Sequence, residues 1–216
     1  MAVMNPPVEQ AADEAAAAPQ VSLEAYLERH AAHFCEWVEG EVIPMSPISL
    51  DHISATDYLS LLLRIYFTFR PIGRVIPAPF VMRLPAFPNR RREPDLQIIL
   101  KDNPGTLTET YMDGPADICI EVVSAESVAR DHGDKFEEYE KGGVREYWIV
   151  DPIRSEGRFY RRSDEGIFLR QTEDAEGFYR TPLLPGFALH VPTLWQDALP
   201  DPIRTVEAVK ALLNEP

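Results

Sequence analysis

Glu121 lies inside DICIEVV, residues 117–123, the most strand-like run of the chain. Side chains alternate faces along a strand, so Ile118, Ile120 and Val122 face one way and Cys119, Glu121 and Val123 the other. Both faces are apolar apart from Glu121, which predicts a strand covered on both sides. A carboxylate there is costly unless something pairs with it, although a simple salt bridge or an exposed sheet edge would also account for it. Asp95 opens the run PDLQIIL; taken alone, it is explained by solvation of a strand start. The interval between the two acids suits neighbouring strands joined by a loop. Carboxylates from adjacent strand ends form a compact oxygen site, the kind that Mg²⁺ takes with water and phosphate completing its octahedron. Lys135 comes early in the helix expected after Glu121. Asp131, Lys135 and Tyr139 follow i, i+4, i+8 spacing and share a helical face. A solvated face with one weak Asp–Lys pair is the plain alternative. Beside a metal, a lysine can orient an attacking water or offset charge developing on a phosphate.

The elements that must position these residues are readable from patterning. Ser22 caps a helix through about Ala32, with Leu23, Tyr26, Leu27 and His30 on one face. Residues 35–45 predict two short strands turning at Glu39-Gly40. A second helix starts near Ser49 or Asp51, carries a stripe of Ile53, Leu59, Leu62, Leu63 and Tyr66, and stops at Pro71 and Gly73. Two prolines in residues 74–84 predict a sheet edge or a bulge. Residues 94–100 and 117–123 are strands separated by a loop over 101–115. Residues 124–143 are loop and helix closed by a Gly-Gly cap. Strands at 145–150 and 158–162 pair across a turn, further short strands fill 166–191, and a last helix covers about 203–213. This order predicts an α+β (mixed α/β) domain with one central sheet. The Ala-, Pro- and acid-rich residues 1–20 read as a disordered tail, and residues 21–216 as a single domain.

Composition sets further bounds. The 216 residues are 45% hydrophobic, enough for a sizeable core. Only Cys35 and Cys119 are present, so there is neither a disulfide framework nor a paired zinc motif, and a reduced cytoplasmic location is expected. No run of about 18 apolar residues suggests a membrane span, and the first residues lack the pattern of a secretory signal. The net charge of −14 argues against a nucleic-acid partner. Its uneven spread softens that objection, because Arg83, Arg90, Arg91 and Arg92 cluster just before Asp95.

Read together, EPDLQII, DICIEVVSAES and DHGDKFEEYEKGGVREYWIVDP resemble the Uma family of putative restriction endonucleases, a branch of the PD-(D/E)XK nuclease superfamily. VEGEVIPMSP followed by His52, and LLPGFALHVPTLW downstream, extend the resemblance over about residues 22–196. It implies a restriction-endonuclease-like mixed sheet flanked by helices, with extra antiparallel strands. It implies a Mg²⁺- or Mn²⁺-dependent endodeoxyribonuclease acting on nucleic acid, DNA before RNA, and by analogy a homodimer. By position, Asp95 matches the PD aspartate and Glu121 the second acid. Glu41 matches the upstream acid, His52 and Tyr139 are supporting residues, and the backbone carbonyl of Val122 joins the metal ligands. Val123 stands where the superfamily expects lysine, and Lys135 on the next helix matches the displaced lysine of this branch. Glu39 and Ala125 depart mildly from the signature without touching a ligand. The competing expectation is a nuclease-like scaffold with a binding or assembly role and degenerate catalysis. A hydrolase of another phosphate ester is a third.

Overall fold

The computed structural model describes residues 20–30, 33, 35–44, 49–124 and 127–214. The expected tail lies outside these residues except for Gln20, as do Met45, Ser46, Pro47 and Ala125 of the family signature. The architecture is α+β. Helix α1 (Leu23–Arg29) is capped by Ser22, whose hydroxyl accepts from Ala25 N, and it buries only Tyr26. Strands β1 (Cys35–Val38) and β2 (Glu41–Pro44) form a hairpin. Its two-residue turn puts Glu39 at φ 52° and Gly40 at φ 93°, the left-handed pair that matches strand twist. The short β5 (Arg90–Arg91) adds to the other edge of β1.

The central sheet has six strands in the order β12 (Phe168–Gln171), β11 (Glu156–Arg162), β10 (Glu146–Asp151), β9 (Ile118–Val122), β6 (Leu96–Leu100) and β3 (Gly73–Pro77). Only β9 and β10 run parallel within it; their crossover carries α3 (Val128–His132) and α4 (Asp134–Gly142). Strand β3, which ends at Pro77, forms the expected edge. The region expected as a loop contains short strands β7 (Thr106–Leu107) and β8 (Tyr111–Asp113), which join β4 (Val81–Arg83) in a small sheet. Strands β13 (Phe178–Arg180) and β14 (Ala188–His190) pair as a hairpin.

Alternation along β9 sorts the core into two layers. Ile118, Ile120 and Val122 pack with Leu59, Leu63 and Tyr66 of α2 (Leu50–Phe69) and with Val209 of α5 (Pro202–Asn214). Cys119 and Val123 pack on the other side with Tyr139 and Tyr147. A strand buried on both faces has no solvated side for a carboxylate, so Glu121 must find its partners inside the protein. Gly133 splits the expected single helix after Glu121 into α3 and α4, and Gly143 ends α4 at φ 92°. No helix among the described residues is long and apolar enough to cross a membrane.

Candidate active site

The register of β6 on β9 decides whether the two acids meet. Leu96 pairs with Ile120, and extending that antiparallel ladder by one residue sets Asp95 opposite Glu121. Paired residues point to the same side. Asp95 is 6% exposed and its Oδ2 accepts from Val122 N at 2.7 Å, so the carboxylate is tied to the backbone next to Glu121. His52 Nε2 approaches the same oxygen at 3.2 Å. The N-cap that starts α2 places this histidine: Ser49 Oγ accepts from His52 N, fixing His52 in the first turn facing the strand ends.

Glu121 is held from α4. Tyr139 OH donates to Oε1 at 2.8 Å, and Lys135 Nζ lies 3.0 Å from Oε2. Lys135 is 1% exposed and also stands 3.2 Å from Asp131 and 3.6 Å from Glu36. Lys135, Glu138 and Tyr139 are the buried residues of α4, so its inward face is largely charged. Behind them, Arg92 donates to Glu36 at 2.6 Å and to both oxygens of Glu138, with Arg90 also on Glu138.

Charges buried together set the electrostatics. Burial pushes the Glu121 carboxyl up to about 8, and Asp131, Asp95 and Glu36 push the same way against Lys135. Burial opposes the charge of Lys135, yet Glu121, Glu36 and Asp131 outweigh it and hold the ammonium firmly protonated. Glu36 is lowered because Lys135 and Arg92 overcome its burial. Glu36, Asp95, Glu121, Asp131 and Glu138 thus share the cations Lys135, Arg92 and Arg90, an excess of acid. Glu36 Oε1 and Asp131 Oδ1 are buried without a hydrogen bond among the described residues, their contacts with Lys135 being ionic. Excess acid and orphaned oxygens fit an additional cation. Yet no three His, Cys, Asp or Glu side chains among the described residues are arranged around one metal position.

Two expectations change. Glu41 does not reach the cluster. It pairs with Val38 at the turn end of the hairpin and is exposed, whereas Glu36, five residues earlier and 0% exposed, occupies the inward position. The alternation argument used for Glu121 singles out Glu36 as well, between the apolar Cys35 and Trp37. The arginine cluster is not a free basic patch: Arg90 and Arg92 are consumed by acids, Arg91 is buried over Trp37, and Arg83 faces Asp113.

The family profile described as "Uma2: Putative restriction endonuclease" matches residues 22–192. The chain belongs to the Uma2 family. A crystal structure described as a putative nuclease belonging to DUF820, from Anabaena variabilis, superposes with a TM-score of 0.60 at 15% identity. It covers 74% of this chain and 89% of its own. At that identity the likeness establishes a shared fold. None of the curated proteins matches. The Uma2 match spans every element that carries the cluster, from α1 through β14.

Proposed function

We propose that this Uma2 protein is a metal-dependent endonuclease that hydrolyses phosphodiester bonds, with DNA as the substrate. The observation that carries the reading is the placement of two buried carboxylates on neighbouring chain segments, Asp95 just before β6 and fixed by the Val122 amide, Glu121 in β9 and held by Tyr139 and Lys135. Asp95, Glu121 and the Val122 carbonyl are the residues that would hold Mg²⁺ or Mn²⁺; such an ion activates water and polarises a phosphate oxygen. In the reaction a water oxygen adds to phosphorus and the bond to one sugar oxygen breaks. Asp95 is oriented by Val122 N–H and by His52, which acts as a positioning residue. Tyr139 gives Glu121 a fixed rotamer. Lys135 supplies positive charge beside the position where the phosphate gains negative charge. Glu36 and Asp131 hold Lys135 in place; Glu41 has no role in this arrangement.

The test is cleavage of plasmid DNA in Mg²⁺ or Mn²⁺. Asp95→Ala and Glu121→Gln are each expected to lower the rate at least about 10³-fold, or about 4 kcal/mol of barrier, in folded protein. Undiminished cleavage by pure Asp95→Ala protein would reject the assignment. A specific observation supports a second reading, a scaffold for binding or assembly. Lys135 already sits where three carboxylates converge, and the protein is strongly acidic. A Mn²⁺ titration separates the two: the nuclease binds Mn²⁺ and loses it on Glu121→Gln, while the scaffold is indifferent. A homodimer and a cytoplasmic location remain part of the proposal, checked by sedimentation and by cell fractionation.

A further inference from the structure

The segment Arg90–Asp95 divides its side chains between two places. Arg90, Arg92 and Asp95 serve the acid cluster, whereas Arg91 and Glu93 line a separate cavity of about 660 Å³. That volume is typical of sites for small organic ligands. Its walls are apolar and aromatic, including Leu23 of α1, Phe80 and Tyr111, with the Arg83 guanidinium stacked 5.0 Å over Tyr111. Its polar groups are few and built in. Glu93 is 2% exposed; Oε1 accepts from Tyr26 OH, and Oε2 has no hydrogen-bond partner among the described residues. Arg91 is 4% exposed, donates through Nη1 to two backbone carbonyls, and has no carboxylate partner among the described residues.

This combination selects a chemistry. An unpartnered buried carboxylate calls for N–H donors, a guanidinium without an acid calls for an acceptor, and aromatic walls call for a planar ring. Guanine offers all three, with N1–H and N2–H beside O6 and N7, the last two being the usual acceptors for arginine. We propose that the cavity is a guanine pocket, reading the base through Glu93 and Arg91 between Phe80 and Tyr111. The choice of an unpaired guanine in the substrate strand as the source rests on the nuclease reading. Glu93 and Asp95 are only two residues apart, a span of at most about 7 Å along the chain, so a nucleotide whose base enters the cavity carries its backbone beside the acid cluster. Taking a base out of its stack costs free energy, least for a single strand. The site therefore suits an unpaired base.

The proposal is tested by titrating the full protein with guanosine, adenosine and cytidine, and with single-stranded oligonucleotides that contain or lack one guanine. Saturable guanosine binding is expected at least tenfold tighter than adenosine or cytidine binding. It should weaken tenfold or more in Glu93→Gln and in Tyr111→Ala, with unchanged melting temperatures as the folding control. Guanine-containing oligonucleotides should bind tighter than guanosine. If guanosine or guanosine monophosphate binds but the oligonucleotides do not, the pocket stands and its source is a free nucleotide. If Asp95→Ala leaves cleavage intact while guanosine still binds, the nuclease reading fails and the pocket remains. No binding of any guanine compound, equal binding of all bases, or binding untouched by both substitutions overturns it.

Discussion

Glu146 opens β10 and Glu121 lies near the end of its parallel neighbour β9, and both carboxylates are buried. They project to opposite faces of the sheet. Glu146 shares its face with Trp148 and the α2 layer, Glu121 with Tyr139 and the α4 layer. Glu146 accepts from Arg161, Thr181, Trp148 and Tyr179 at 2.6–2.9 Å, two donors to each oxygen. Glu121 has one neutral donor, one shared ammonium and further acids close enough to raise its pKa. The first arrangement is that of a group built to stay as it is. The second leaves electrostatic free energy to be gained by a cation, and unrelieved charge in a buried cluster marks a candidate functional site.

The sharpest break of this contrast is in stability. Glu146→Ala leaves the buried donors of Trp148, Tyr179 and Thr181, and the partly exposed Arg161 guanidinium, without an acceptor, so urea unfolding should show a loss of about 3 kcal/mol or more. Glu121→Gln should cost far less at pH 8, because it removes one of the crowded charges; an equal loss in both variants would erase the distinction. Next in size is the response to metal. Mn²⁺ at about a hundredfold excess over its Kd should raise the unfolding free energy by about 2.7 kcal/mol. The gain should vanish in Asp95→Asn, and a gain that persists there would place the ion elsewhere.

A third comparison uses pH. The folded-state pKa of Glu121 is raised to about 8, so the stability linked to its protonated form is complete below the ordinary carboxylate pKa. It is lost as the pH climbs through 8. For one proton the slope is at most about 1.4 kcal/mol per pH unit. Thermal melts between pH 5 and 8.5 should show this decline in the metal-free protein, and Glu121→Gln should flatten it. A wild-type curve without that decline contradicts the assignment of charge. The smallest effect is expected at Lys141, whose pair with Glu137 on the outer side of α4 is more than half exposed. Lys141→Ala should leave the urea midpoint unchanged within error.

Much of this was written locally. Ser22 and Ser49 as caps, the Glu39-Gly40 turn, the Gly143 helix end and the double-sided burial of β9 all follow from side-chain chemistry within a few residues. The sequence therefore determined most of the elements, though not β7, β8 or the break between α3 and α4, and that Glu121 is internal. It also pointed to Asp95 and Lys135 through interval and spacing. What it left open was which other charges join them. Glu41 and Glu36 differ by five positions, and only the pairing of β1 with β2 and β5 sends one outward and the other inward. Arg90, Arg91 and Arg92 look like a basic patch in one dimension. Tertiary packing buries Arg91 and Arg92 and commits Arg90 and Arg92 to acids more than forty residues away. The physical reason is that burial and ion pairing depend on distances between segments remote in the chain, which register and layer packing set and local propensity does not.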